Sequence, residues 1–225
     1  MKTSVYGLIL LAFSTTKLSA TELSAAEFVD ITTKVPNIHT EIRYFTKDNF
    51  VGKKIDGYLA PKCLLSAPAA AGVAIAQREL STFGLGLKIF DCYRPQMAVD
   101  HFVRWAKDLD DTKNKARYYP EVPKDKLFER GYIAARSGHS RGSTIDLTVV
   151  DLKTGRELDM GSGWDFFSKV SWPSYQGIST EQRANRMLLS KVMHTAGFKG
   201  LKEEWWHFTL VNEPHTTQYF TQPIQ

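Results

Sequence analysis

The sequence predicts an α+β fold: one domain in which helices flank a central, mainly antiparallel sheet. Helical and strand-like segments alternate along the chain, and several joins between them are short enough for hairpins. No internal repeat, low-complexity tract or evident linker interrupts the 225 residues. That length suits a single domain with a sizeable buried core.

The first predicted elements are a helix and a strand. Ser66 and Pro68 begin an alanine-rich segment that runs to Phe83 and stops before Gly84. A capping residue, an apolar repeat and a final glycine in this order are typical of a helix. Residues 85–90 then form a short apolar run, which predicts a strand.

Helical spacing returns in the next segment. Residues 95–105 place Ala98, Phe102 and Trp105 on one face, which predicts a second helix that packs on the core. Residues 107–126 are polar and contain two prolines, so we expect an ordered excursion at the surface.

The last third of the chain predicts two strands with a helix between them. Residues 145–150 and 205–211 are rich in β-branched or aromatic side chains, as strands are. Ser179 and Gln182 have the spacing of a capping box for a helix that stops at Gly197. The expected buried stripe of this helix is Ala184, Leu188, Val192 and Ala196.

The N-terminal segment has the pattern of a secretory signal peptide. Lys2 supplies a positive start, residues 5–13 are apolar, and small residues follow at 18–20. The apolar run is too short to cross a bilayer. We therefore expect residues 1–20 to be a signal peptide and residues 21–225 to be a periplasmic domain without a stable membrane anchor. A buried N-terminal helix is the alternative.

The charge balance argues against nucleic acid as a partner. The chain has 29 Lys and Arg against 24 Asp and Glu, a formal net charge of +5. These charges do not form a block of like sign, which nucleic-acid-binding segments usually contain.

The two cysteines, Cys63 and Cys92, would both lie in an exported compartment that permits disulfides. We favour a disulfide between them, and two buried thiols that act as small apolar residues are the alternative. Without the CxxC spacing, two cysteines do not indicate a metal site.

Three separate residues could bind one metal ion. His139 lies in a Gly- and Ser-rich loop, Asp146 lies in a predicted strand, and His207 lies in the last predicted strand. Two imidazoles and one carboxylate with a fourth position left for water are typical of a catalytic zinc site. Each residue alone could equally be structural: a hydrogen-bonded core histidine or a turn aspartate.

A carboxylate near the last histidine could serve as a general base. Glu204 precedes His207 by three residues, so an ideal strand would point the two side chains to opposite faces. Glu204 must therefore lie before the regular strand or at a bulge, and the adjacent Glu203 is a rival. The helical His-Glu-x-x-His zinc motif does not occur in the sequence.

An ordered set of motifs resembles the VanX-type D-alanyl-D-alanine dipeptidases, and it spans nearly all of the chain after its N-terminal segment. The motifs are Ile42-Arg43-Tyr44, Asp48-Asn49-Phe50, Tyr93-Arg94-Pro95, Ser140-Arg141-Gly142-Ser143, Ile145-Asp146-Leu147-Thr148, Met160-Gly161-Ser162 with Asp165-Phe166, Glu204-Trp205-Trp206-His207 and Tyr219-Phe220. Each motif alone is weak evidence, but the ordered set is specific.

The resemblance implies a role for several residues. It makes His139, Asp146 and His207 the ligands of one Zn²⁺ and Glu204, rather than Glu203, the general base. It makes Arg94 the group that stabilises the oxyanion. It also implies substrate-binding roles: Asp165 would bind the ammonium group of a dipeptide, and Ser137 and Tyr44 would line the pocket. Gly138 and Trp164 depart from the residues common in the family, which affects the expected shape of that pocket.

The function implied by the resemblance is hydrolysis of the dipeptide D-Ala-D-Ala. With a signal peptide, the enzyme would recover D-alanine or act in cell-wall turnover. Two alternatives remain open: a zinc D,D-carboxypeptidase that trims peptidoglycan stem peptides, and a wall-binding protein that keeps the metal without catalysis.

Overall fold

The computed structural model describes residues 28–225, so the expected signal peptide lies outside the described residues. Short 3-10 turns connect the strands and α-helices of this part of the chain. The strands are β1 (Phe28–Asp30), β2 (His39–Thr40), β3 (Leu64–Ser66), β4 (Leu85–Asp91), β5 (Thr144–Asp151), β6 (Phe198–Gly200) and β7 (His207–Leu210). The helices are α1 (Ala67–Ser81), α2 (Gln96–Lys107), α3 (Lys115–Tyr118) and α4 (Thr180–Thr195). Within residues 28–225, none of these helices has the length and apolar character that a bilayer crossing needs.

A five-stranded sheet in the order β2-β4-β5-β7-β6 forms the centre of the molecule. Only the edge pair β2 and β4 is parallel, and the other neighbours in this sheet are antiparallel. Strands β1 and β3 form a separate antiparallel pair. The predicted α+β class with a mainly antiparallel sheet is confirmed.

The two long helices with predicted caps begin as expected. The Ser66 side chain accepts a hydrogen bond from the Ala69 amide at the start of α1. Ser179 and Gln182 form both bonds of a capping box at the start of α4. Helix α1 approaches the end of α4 closely at Gly72, where a Cβ atom would lie 2.8 Å from the Ala196 carbonyl oxygen. A larger residue at position 72 would push these helices apart.

The predicted buried stripe of α4 is correct at its end, where Val192 and Ala196 are buried, and wrong near its start. Ala184 is exposed and Leu188 is half-buried, whereas the buried helix residues are Arg186, Leu189, Val192 and Met193. Burial of Arg186 explains the shift, because its guanidinium donates hydrogen bonds to the carbonyls of Met160 and Trp172. A pattern of apolar residues cannot anticipate a buried arginine that backbone carbonyls satisfy.

Two other predicted segments differ in detail. The excursion over residues 107–126 is ordered, but it also supplies the buried side chains of Tyr118, Tyr119 and Val122 to the core. The last strand begins at His207 rather than at Trp205, because residues 205 and 206 form a turn. That turn is held by the Trp205 amide, which donates to the Ser171 carbonyl.

A disulfide joins Cys63, just before β3, to Cys92, just after β4, with their Cα atoms 5.2 Å apart. Both cysteines are buried. The Tyr93 amide also donates to the Leu64 carbonyl. The disulfide and this hydrogen bond therefore attach the small sheet to the end of β4.

Candidate active site

Strand register places two of the three metal-ligand candidates side by side. Asp146 in β5 is directly opposite His207 at the start of β7. On its other side Asp146 is opposite Asp91, the last residue of β4, where the register shifts at an irregularity. Three neighbouring strands thus bring Asp91, Asp146 and His207 into one row.

His139 reaches the same place from a one-turn 3-10 helix over Gly138–Arg141, just before β5. The turn ends at Gly142, whose φ of 79° lies in the left-handed region. A Cβ atom there would lie 1.9 Å from the Phe28 ring. Both the backbone angle and the close ring require glycine, and this turn sets the direction of His139.

The three side chains form a compact triangle of donor atoms. Asp146 Oδ1 lies 3.3 Å from His139 Nε2 and 3.1 Å from His207 Nδ1. The two imidazole nitrogens lie 3.3 Å apart. His139 and Asp146 are almost fully buried, and His207 is half-buried. All three predicted ligands therefore meet at one point.

Hydrogen bonding leaves one buried oxygen of the triangle without a partner among residues 28–225. His139 Nδ1 donates to the Cys92 carbonyl at 2.7 Å, which leaves the lone pair of Nε2 directed at Asp146. Asp146 Oδ2 accepts from Trp164 Nε1 at 3.2 Å, whereas the buried Oδ1 lacks a hydrogen-bond partner among residues 28–225. A buried oxygen without a hydrogen-bond partner, next to two imidazole nitrogens, is the arrangement expected for a metal ion that binds N and O ligands.

The pKa shifts of His139 and Asp146 favour metal binding. Burial lowers the pKa of His139, so its ring is neutral and can act as a ligand. Burial by itself would raise the pKa of Asp146, but the adjacent His139 and His207 rings hold that pKa well below its usual value. The metal-free site therefore already contains a deprotonated carboxylate and a neutral imidazole.

Arg94 lies beside the triangle and is anchored from behind. Its Nε donates to Asp91 Oδ2 at 2.9 Å, and its Nη2 lies 2.8 Å from the same oxygen and 3.7 Å from Asp146. Tyr58 donates to the other Asp91 oxygen at 2.6 Å. Asp91 is completely buried. These contacts fix the guanidinium at the edge of the site.

Glu204 occupies the place that strand geometry requires for a side chain near His207. It lies before the turn at residues 205 and 206, and its Oε2 is 3.5 Å from His207 Nδ1. Burial, and then the nearby Asp146 charge, raise the pKa of Glu204 to about 8. Glu203 lies outside this site, lines a neighbouring cavity and pairs with Lys202 at 3.1 Å.

Asp165 is a buried carboxylate that lines the same cavity. Its φ of 57° is left-handed, a conformation that non-glycine residues adopt rarely and often at functional sites. Tyr44 donates to Asp165 Oδ2 at 2.7 Å. Burial and then the Asp146 charge raise the pKa of Asp165 well above its usual value. A cationic group from a ligand would stabilise the ionised form.

One cavity of about 240 Å³ connects these groups. Its lining includes every site residue anticipated by resemblance, namely Tyr44, Arg94, Ser137, His139, Asp146, Asp165, Glu204 and His207. Ser137 Oγ accepts a hydrogen bond from the His139 amide, so it also caps the metal-ligand turn. The cavity thus combines a metal-suited triangle, a carboxylate, a guanidinium and a buried aspartate.

Three contributors to the site were not anticipated from the sequence. They are the Asp91 carboxylate, the Cys92 carbonyl that orients His139, and the Trp164 indole that holds Asp146. The only signal for Asp91 was a polar residue at the end of an apolar run. Backbone carbonyls and indole contacts leave no pattern in a sequence.

Comparisons with known proteins show which family the chain belongs to. The family model described as D-Ala-D-Ala dipeptidase, peptidase family M15, matches residues 24–225. A D-alanyl-D-alanine dipeptidase of Streptomyces coelicolor is 42% identical over 198 residues, which cover 88% of this chain and 98% of the relative. The proteins of the same name from Enterococcus faecalis and Escherichia coli are 40% and 34% identical, and the alignments cover 81% and 82% of this chain and 91% and 84% of those relatives.

The match is therefore broad as well as local. It spans the whole described domain, it includes relatives well above 30% identity, and the cavity contains a metal-suited His, Asp and His group. This chain belongs to peptidase family M15, the D-Ala-D-Ala dipeptidases.

Proposed function

We propose that this protein is a zinc-dependent dipeptidase that hydrolyses D-Ala-D-Ala to two D-alanines in the periplasm. The observation that carries the proposal is the donor triangle of His139, Asp146 and His207, which shares one cavity with Glu204 and Asp165. A carboxylate beside the metal can act as a general base, a group that metal storage or simple binding does not need.

Zinc is the metal that this donor set favours. Zinc bonds of ~2.0–2.2 Å at tetrahedral angles separate ligand atoms by about 3.3 Å or slightly more. The donor atoms here are 3.1–3.3 Å apart. His139, Asp146 and His207 would hold the zinc ion, which would supply Lewis acidity for the activation of water.

Glu204 and Arg94 perform the proton and charge chemistry. A Glu204 carboxylate oxygen accepts the proton of the attacking water and then donates it to the leaving amine. The Arg94 guanidinium donates hydrogen bonds to the oxygen that becomes negative when the peptide carbonyl is attacked. Because Asp91 holds this guanidinium in place, little reorganisation accompanies the reaction.

Asp165 selects a free ammonium group. Its buried carboxylate is costly to ionise alone, so a cationic substrate group that pairs with it is strongly preferred over a neutral one. The D-Ala-D-Ala ammonium is such a group, and its distance from the peptide bond is fixed. We therefore expect the enzyme to act on dipeptides rather than on longer peptides.

The periplasmic part of the proposal rests on the N-terminal pattern and is supported by the disulfide. Residues 1–20 have the charge, apolar run and small residues of a signal peptide. Disulfides are rare in reducing compartments and common in exported proteins. In that location the enzyme would recover D-alanine from wall-derived dipeptide or act in wall turnover.

Purified, zinc-loaded protein tests the function directly. We expect D-alanine release from D-Ala-D-Ala and release at least 100-fold less efficient from N-acetyl-D-Ala-D-Ala and a stem pentapeptide, since an unpaired buried charge costs ~3–5 kcal/mol. Equal efficiency on the pentapeptide would identify a D,D-carboxypeptidase. Metal binding without any hydrolysis would identify a wall-binding protein.

Location needs a separate experiment. Cells that express the full chain with a C-terminal tag are fractionated, and the tagged protein is followed by immunoblot and by its N-terminal sequence. The proposal expects a shortened chain in the periplasmic fraction. An intact N-terminus in the cytoplasmic fraction would contradict it.

A further inference from the structure

Two arginines, Arg94 and Arg136, are among the residues that line the cavity, and they differ in what balances their charge. Arg94 is paired with Asp91 and lies near Asp146. Its charge is therefore compensated by two buried carboxylates before any ligand enters.

Arg136 has a different environment. Within residues 28–225, its guanidinium lies within ion-pair distance of none of the carboxylates. It contacts an aromatic ring: the guanidinium carbon lies 5.0 Å from the centre of the Tyr219 ring. A ring contact restrains the guanidinium and leaves its N–H donors free to bind an anion.

Sequence position places Arg136 close to the reacting groups. It immediately precedes Ser137, whose hydroxyl caps the turn that carries His139. Arg136 is exposed to solvent and is one of the residues at the cavity. A flexible cation at this position can contact a ligand whose reactive bond lies at the donor triangle.

The charge distribution in the cavity is complementary to a zwitterion. Asp165 supplies a buried carboxylate that can pair with an ammonium, and Arg136 supplies a guanidinium that has no carboxylate partner within residues 28–225. An extended dipeptide carries its ammonium and its carboxylate at opposite ends, at most about 7 Å apart. If the ammonium pairs with Asp165, the carboxylate requires a cation that is not already neutralised.

We propose that Arg136 binds the free α-carboxylate of the dipeptide, so that the enzyme selects its substrate at the C-terminal end as well as at the N-terminal end. This inference rests on the proposed function. Guanidinium N–H groups match a carboxylate in a two-point contact, which a neutral amide terminus cannot provide. Arg136 is thus a specificity-determining residue.

The test compares D-Ala-D-Ala with D-Ala-D-Ala amide, which keeps the scissile bond and the ammonium. We expect the wild-type kcat/KM to be about 10- to 100-fold higher for the free acid, as for loss of a charged hydrogen bond. Arg136→Ala should lower kcat/KM for the acid by the same factor, mainly through KM, and leave the amide unchanged within about threefold. Arg136→Lys should restore part of the preference because it keeps the charge.

Arg130→Ala is the matched control, since Arg130 is an exposed arginine of the same connection between α3 and β5 and lines the neighbouring cavity. It should keep the wild-type preference for the acid. An equal loss on both substrates in Arg136→Ala, or a preference that survives the substitution, would overturn the inference.

Binding measurements separate this inference from the proposed function. Calorimetry with the Glu204→Gln protein, with and without Arg136→Ala, measures the affinity for each dipeptide without requiring turnover. Loss of the acid preference only when Arg136 is removed supports the inference. If the wild-type enzyme hydrolyses D-Ala-D-Ala and the preference for the acid survives Arg136→Ala, the inference alone is refuted. If the wild-type enzyme does not hydrolyse D-Ala-D-Ala, the proposed function is refuted, whatever the two affinities are. A protein that binds neither dipeptide refutes the inference too.

Discussion

The Asp91 carboxylate and the Arg94 guanidinium form a two-point contact at the end of β4. Asp91 Oδ2 lies 2.9 Å from Nε and 2.8 Å from Nη2 of Arg94, and the carboxylate is completely buried. Asp91 is also opposite Asp146 in the sheet. The group that anchors the guanidinium and a metal-ligand candidate are therefore fixed by the same pair of strands.

Asp91→Asn should impair the reaction through Arg94. The amide cannot balance the guanidinium charge, so Arg94 is held less firmly, and we expect kcat to fall by ~10–100-fold, as for other groups that orient active-site residues. Metal content should be retained, because His139 still donates to the Cys92 carbonyl. Steady-state kinetics and metal analysis on the same preparation measure both.

Guanidine rescue distinguishes this role from a general loss of structure. Added guanidinium should restore part of the activity of Arg94→Ala, because Asp91 can still bind it, and should not restore Arg94→Ala combined with Asp91→Asn. Tyr58→Phe, which removes only the hydrogen bond to the other Asp91 oxygen, is the milder control. Equal rescue in both backgrounds would exclude Asp91 as the anchor.

Glu204→Gln should bind metal normally and lose most of its turnover, because an amide oxygen cannot accept the proton of water. A loss of ~10²–10⁴-fold in kcat is typical for a general base. Glu203→Gln is the matched control, since Glu203 lies outside the cavity, and it should stay near the wild-type rate. The opposite ranking of the two variants would show that Glu203 is the base.

Asp165→Asn should make the metal-free protein more stable at neutral pH. The pKa of Asp165 is raised in the folded state, so folded protein binds a proton more tightly than unfolded protein. The stabilisation from this proton is complete below the unfolded pKa of ~3.9 and is lost as pH rises toward the folded value. An uncharged side chain avoids that loss.

Urea unfolding of both proteins in chelator at several pH values measures this effect. The free energies of unfolding should approach each other near pH 4 and diverge toward pH 7, with the variant the more stable. The same variant should hydrolyse D-Ala-D-Ala poorly. A variant that is less stable than wild type at pH 7 would show that ionisation of Asp165 does not destabilise the folded protein in the absence of metal.

Removal of the disulfide should lower the free energy of unfolding. Cys63 and Cys92 are separated by 29 residues, and closure of a loop of this length contributes about 3–4 kcal/mol in chain-entropy terms. The Cys63→Ala, Cys92→Ala double variant is compared with wild type by urea denaturation. Coincident unfolding curves would mean that the disulfide contributes nothing to stability.

The sequence predicted the elements whose signals are local. Ser66, Ser179 and Gln182 marked helix starts because caps are formed by neighbouring residues. The buried residues in the first half of α4 could not be predicted, because Arg186 is buried against carbonyls from residues 160 and 172. Such contacts depend on the tertiary fold.

In the site, too, local signals could be predicted from the sequence and contacts that depend on the tertiary fold could not. The residue types and order of His139, Asp146 and His207 were readable in the chain, and their resemblance to a family selected them over structural alternatives. The three-residue spacing between Glu204 and His207 also correctly indicated that Glu204 precedes the strand. Asp91 required the β4–β5 register, which no local pattern specifies.

The proposed function requires a zinc ion at His139, Asp146 and His207 for D-Ala-D-Ala hydrolysis. The most direct measurement follows D-alanine release while chelator-treated protein is titrated with Zn²⁺, with bound metal quantified in parallel. We predict activity that rises linearly and saturates at one zinc per chain, and a His139→Ala protein that neither retains the metal nor gains activity. Full activity in protein shown to contain no transition metal would contradict the claim.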